Sequence, residues 1–163
     1  MAIDLTDGQG TSGHPARARK VYIVEKTLDF AEALVQKGSA LAATDVYEVL
    51  DVPAETFVLA AGAEVITVGD ATAATVNVDF AGGDDYVDGA DIIAATGYCA
   101  AGTNGWAGLQ TGSTSTTAVN RITATDTLDV TLATLTGTLS TGKLRVYAIL
   151  MDISGVNEVS PLV

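Results

Sequence analysis

Two six-residue segments constrain the fold of this chain more than any other feature. In residues 75–80, Val76, Val78 and Phe80 alternate with Thr75, Asn77 and Asp79; in residues 127–132, Leu128, Val130 and Leu132 alternate with Thr127, Asp129 and Thr131. An apolar residue at every second position gathers one kind of side chain on one face of an extended strand, which a helix of 3.6 residues per turn cannot do. Both segments read as half-buried antiparallel strands, with Thr127, Asp129 and Thr131 directed at water.

The rest of the chain is punctuated in the same style. Residues 21–24 and 45–52 read as strands, and Pro53-Ala54-Glu55 as a turn, because proline fixes φ and cannot donate to a sheet ladder. Residues 56–68 follow as a long strand, with Gly62 expected to mark a bulge. A short helix is expected over 27–37, where Phe30 and Leu34 share a face, Asp29 suits the first turn, Lys37 the last, and Gly38 ends it. Residues 144–151 differ from the other strands. Leu144, Val146, Ala148 and Leu150 make one face apolar, while Tyr147, Ile149 and Met151 make the other apolar as well, so another layer or another subunit must cover it. Residues 97–119 hold five glycines, many Thr and Ser, and the single tryptophan, Trp106, as a functional or interfacial loop does.

Seven or eight short strands, turns of Gly, Asp and Thr, and little helix are the pattern of an all-β, antiparallel β-sandwich or jelly roll. A chain of 163 residues suits one domain that buries roughly 70% of its unfolded surface. That domain is expected over 21–163. Residues 1–20 hold three glycines, a proline and few large apolar side chains, too little to offset the entropy of ordering, and read as an extended, flexible N-terminal arm.

Charge divides the chain further. Twenty Asp and Glu against eight Lys and Arg give a net charge of -12, which phosphate backbones repel, so nucleic acid is not an expected partner. Five of the eight basic residues precede position 38 and the next is Arg121. Arg17, Arg19 and Lys20 make the arm basic while the body is acidic. The longest apolar runs, 57–63 and 146–151, fall far short of the roughly 20 residues that cross a bilayer as a helix, and residues 1–13 lack the apolar core of a secretory signal. No membrane contact is expected, and synthesis is expected in the cytoplasm. Cys99 is alone, which excludes an intrachain disulfide or a zinc cluster and leaves a small core or interface residue.

The motifs that suggest chemistry lack the context it needs. Residues 8–13 spell G-x-G-x-x-G, but neither a strand before nor a helix after aims amides at a pyrophosphate. Residues 137–143 spell G-x-x-x-x-G-K, yet Leu144 stands where a magnesium-binding Ser or Thr belongs, so a hairpin loop is the better reading. Asp84, Asp85, Asp88 and Asp91 miss the EF-hand spacing, which leaves an irregular calcium site as the alternative to a solvated acidic loop. His14 is the only histidine and has no partner spacing for a triad. No pair of carboxylates stands out as a glycosidase dyad, and nine aromatic residues are few for a sugar groove. No catalytic residue, metal or cofactor is expected.

A resemblance supplies what composition does not. The runs Asp29-Phe30-Ala31, Lys37-Gly38-Ser39-Ala40-Leu41-Ala42-Ala43-Thr44-Asp45-Val46, Leu50-Asp51-Val52-Pro53-Ala54-Glu55-Thr56-Phe57-Val58-Leu59 and Gly62-Ala63-Glu64-Val65 resemble small structural proteins of tailed bacteriophages. Gly82-Gly83-Asp84-Asp85-Tyr86-Val87-Asp88-Gly89, Ala124-Thr125-Asp126-Thr127 and Leu144-Arg145-Val146-Tyr147-Ala148 continue it over most of 29–152. The similarity implies a head decoration, or cement, protein on the capsid exterior that stabilises the shell. Its implied partners are the major capsid protein and its own copies, as a homotrimer. Arg17, Arg19 and Lys20 would then contact an acidic capsid surface or a neighbouring subunit, and Tyr147, Ile149 and Met151 the oligomer interface. The pattern does not separate head from tail. A tail or fibre module that binds a host surface glycan would present an exposed aromatic groove, and a virion-bound hydrolase two close carboxylates in a cleft.

Overall fold

A computed structural model describes residues 21–80, 86–99 and 120–152. Among them are nine strands and one helix: β1 (Val21–Asp29), α1 (Phe30–Lys37), β2 (Val46–Val52), β3 (Thr56–Thr67), β4 (Ala73–Phe80), β5 (Val87–Asp91), β6 (Gly97–Tyr98), β7 (Asn120–Ile122), β8 (Asp126–Thr136) and β9 (Lys143–Asp152). The strands form two antiparallel sheets. Sheet I runs β1-β9-β3-β6, with β7 also on the outer edge of β3, and sheet II runs β2-β8-β4-β5. The chain changes sheet at every connection except β4 to β5 and β6 to β7, and this order is that of a jelly roll. The all-β sandwich read from the sequence is the observed fold.

The two clearest alternating segments are direct partners. Val76, Val78 and Phe80 of β4 lie opposite Leu132, Val130 and Leu128 of β8. Val76, Val78, Leu128, Val130 and Leu132 are completely buried, as are Leu144, Val146, Ala148 and Leu150 of β9 across the core. Each of the valines and leucines contributes roughly 1.5–3 kcal/mol of burial, which is what holds the sheets face to face.

Several boundaries differ from the sequence reading. β1 continues to Asp29, pairing residue for residue with β9 from Met151 to Lys143; Lys26, opposite buried Val146, breaks the apolar alternation that would have marked the strand's full length. The helix accordingly spans Phe30–Lys37 only. Asp29 caps it, accepting a hydrogen bond from the Ala31 amide at 2.9 Å; Gly38, at φ 68°, closes it with its amide donating to the Leu34 carbonyl.

Gly62 is not a bulge. The irregularities of β3 fall at 58/60 and 65/67, and Gly62 pairs regularly with Tyr147. Residues 137–143 are no hairpin either, since they carry the chain from sheet II to sheet I. This crossing is tied down by Asp70, whose carboxylate accepts the Ser140 and Thr141 amides at 2.7 and 3.0 Å and the Ser140 hydroxyl. Those hydrogen bonds hold Asp70 down at a pKa of about 2. Leu144, which follows the crossing, is core.

Asp129 lies on the outer face of its sheet as expected, but only 8% of it is exposed, and the same is true of Asp79. β8 sits between β2 and β4, so side chains of both neighbouring strands crowd it.

Candidate functional site

The described surface is organised as two contrasting sheet faces and one cleft. Among the described residues no group of three His, Cys, Asp or Glu side chains could hold a metal ion. No helix among them is long and apolar enough to cross a membrane. Asp84 and Asp85 of the acidic loop lie outside the described residues; Asp91 instead caps its own turn, accepting the Ile93 and Ala94 amides.

A cleft of about 600 Å³ opens between β1, α1 and β2, with Asp29, Glu32, Asp45 and Glu48 among its walls. Two of these acids are committed. Lys143 lies 2.9 Å from Asp29, and that hydrogen bond lowers its pKa despite partial desolvation. Burial raises Asp45, but Lys37 at 2.5 Å and the Ala42 amide lower it further. Neither is therefore a proton donor near neutral pH. Tyr47, also in the wall, has its hydroxyl excluded from solvent, and burial with the adjacent Asp45 charge pushes its pKa up to about 12.

The outer face of sheet I is built in rows across its strands. Val21, Met151 and Phe57 form the first row, and Ile23, Ile149 and Ala60 the second. Both rows are apolar across β1, β9 and β3, and the first ends at Arg121 of β7, which pairs with Phe57. On edge strand β1, Val21 is 56% and Ile23 67% exposed. The third row is Glu25, Tyr147 and Gly62; the fourth contains Thr27, Arg145, Glu64 and Tyr98. Arg145 pairs with Glu64 and lies 3.8 Å from Glu25, so this end is polar, with one guanidinium between two carboxylates. The Tyr147 ring folds over bare Gly62 and meets the exposed Tyr98 edge-on, with centroids 6.2 Å apart.

Sheet II has the opposite character. Its four strands contain seven acids, Glu48, Asp51, Asp79, Asp88, Asp91, Asp126 and Asp129, and no Lys or Arg, whereas the strands of sheet I contain four of each sign. Glu48, Asp129 and Asp79 stand directly opposite one another on adjacent strands. Desolvation raises the Asp129 pKa, assisted by Glu48 and Asp126 and opposed by a 2.8 Å hydrogen bond from Thr127.

Of the residues singled out from sequence, Tyr147, Ile149 and Met151 do share one outer face, each half-buried by neighbouring strands. Arg17, Arg19, Lys20, His14 and Trp106 lie outside the described residues. Cys99 is half-buried, and burial beside Glu64 pushes its thiol up. Sequence reasoning missed Val21 and Ile23 as part of the apolar face, although 21–24 is apolar on both faces of the strand, as 144–151 largely is.

No protein-family model matches the sequence, and no curated protein sequence is significantly similar to it. Solved structures do match. A chain of the Cyanophage Pam1 capsid asymmetric unit superposes with a TM-score of 0.58 at 19% identity, covering 82% of this chain and 86% of that one. A chain of the acidic stable capsid structure of Helicobacter pylori bacteriophage KHP30 aligns with a TM-score of 0.42 at 17% identity, over 79% of this chain and 86% of that one. The chain thus shares its two-sheet fold, over most of its length, with a chain of a cyanophage capsid.

Proposed function

We propose that this chain is a structural protein of a tailed-bacteriophage virion, a head decoration or cement protein that binds the outside of the assembled capsid. The observation that carries the reading is the fold held in common with a Pam1 capsid chain over most of both chains, together with the sequence resemblance described above. Its partners in this reading are the major capsid protein and further copies of itself, as a homotrimer that uses the outer face of β9, with Arg17, Arg19 and Lys20 reaching an acidic surface of the assembled lattice. A charge of -12 suits an outer shell better than the neighbourhood of packaged DNA.

The action is mass action and requires no catalysis. A ligand that binds the assembled lattice and not free subunits stabilises it by RT ln(1 + [L]/Kd), about 2.7 kcal/mol per site at a hundredfold excess over Kd, and several arms on one oligomer raise the effective concentration. The test is to strip the protein from purified heads, measure the temperature at which DNA escapes, and restore it. Stripped heads are expected to release DNA at a lower temperature and to recover on addition. Equal temperatures in both states, or density on the tail by cryo-electron microscopy, overturn the reading.

A further inference from the structure

We propose that the first two rows of sheet I, centred on Val21, Ile23, Ile149 and Met151, are where a second copy of this chain docks, with sheet II facing away from the contact. The inference rests on the self-associating reading above and specifies its contact surface. It also divides the three residues expected there from sequence: Ile149 and Met151 belong to the contact, and Tyr147 does not.

Charge selects the occupant and its orientation. A second copy carries the same -12, and placing like charges face to face costs several kcal/mol. Sheet II brings seven acids and no base to any encounter, so it repels its own copy. Sheet I is balanced at four acids and four bases, and its central charges are already paired within the chain as Arg145 with Glu64 and Lys143 with Asp29. An acidic protein therefore meets itself on this face with fewer like-charge contacts than on sheet II.

The apolar rows supply the attraction. Val21 and Ile23 lie on an edge strand, more than half exposed, and continue into Ile149 and Met151 without an intervening polar residue. A contiguous apolar patch across several strands is what interfaces bury and what monomers avoid leaving in water. A closed symmetric assembly covers it without exposing a fresh patch that would propagate into filaments. Tyr147 already has its partners in Gly62 and Tyr98.

The experiment is light scattering and sedimentation of the full chain over a concentration series, with head binding measured separately. Wild-type protein is expected above monomer mass, and raising the salt from about 0.05 to 0.5 M is expected to tighten association by screening the residual repulsion. Ile23→Asp is expected to weaken it by at least about 100-fold, since it buries a charge in the contact; Ile23→Ser, a milder change at a surface position, gives an intermediate loss, and circular dichroism verifies the fold of both. Tyr147→Phe and Glu48→Lys are expected to leave it unchanged. A monomeric wild type, or association indifferent to Ile23→Asp, overturns the proposal. A monomer whose head binding is nonetheless lost in Ile23→Asp assigns the patch to the capsid protein instead, and an oligomer that fails to bind heads leaves the contact standing while refuting the decoration role.

Discussion

Gly62 offers a test of the packing on sheet I because one substitution is expected to change sign with its neighbour. Nothing in its backbone requires glycine, since its φ is not positive. Its bareness instead accommodates Tyr147: a Cβ at residue 62 would lie 2.6 Å from Tyr147 Oη and 2.9 Å from Cζ, against a normal contact of about 3.5–4.0 Å. Gly62→Ala must push the ring out by on the order of 1 Å, an overpacking cost of about 1–3 kcal/mol. Alanine also reduces the entropy of the unfolded chain, which contributes about 0.5–1 kcal/mol in the opposite direction. The net expectation is a loss of roughly 0.5–2 kcal/mol. In a Tyr147→Ala background the ring is gone and only the entropic gain remains, so the same substitution should stabilise by about 0.5–1 kcal/mol. Urea unfolding of the four proteins at one fixed protein concentration closes the cycle, the fixed concentration being needed because self-association shifts midpoints. If Gly62→Ala has the same sign and size in both backgrounds, the ring does not occupy the space above Gly62 and the reasoning fails.

Two further predictions concern other parts of the sandwich. Thr44 is held at φ 75°, a region disfavoured for a β-branched residue, by an amide that donates to the Leu132 carbonyl at 2.7 Å; Thr44→Asn keeps that bond and is expected to raise stability by about 1 kcal/mol, which a lowered melting temperature would contradict. Asp129 has a raised pKa in the folded chain, first from desolvation and then from Glu48 and Asp126, with Asp79 also opposite it, so its contribution favours the folded state below the unfolded carboxylate range and is lost as pH rises through the folded value. Asp129→Asn is accordingly expected to stabilise at pH 7 by a few tenths to about 1 kcal/mol, the range for relieving directly opposed like charges, and to flatten the pH dependence of melting above the acid range. Asp70 works in the opposite sense, its stabilisation being present above the unfolded value of about 3.9 and lost as pH falls towards about 2; a melting profile in which Asp129→Asn keeps the wild-type slope as pH rises from the unfolded carboxylate value counts against the buried row.

The strand segments were legible because burial on one side of a sheet writes itself into a two-residue period, and the segments 75–80 and 127–132 proved to be hydrogen-bonded partners. The helix and its stop at Gly38 were legible for a local reason as well, since a helix end acts through hydrogen bonds only a few residues long; Asp29, read as a first-turn residue, is the cap just outside the helix. What failed were signals whose meaning depends on a distant neighbour. Lys26 ended the apolar alternation without ending β1, because it sits on an edge strand where a long side chain reaches water. Gly62 read as a bulge, and only the register of β3 against β9 brings Tyr147 over it. The long interval without Lys or Arg between 37 and 121 was visible in the sequence, yet it includes β3 of sheet I and omits β8 of sheet II. Local periodicity and capping thus determined that the chain is a two-layer β protein and where most of its strands lie. Which face became acidic and which apolar was decided only when the jelly-roll crossings sorted β2, β4, β5 and β8 into one sheet, because strand pairing joins residues far apart in the chain and no local pattern encodes the partner.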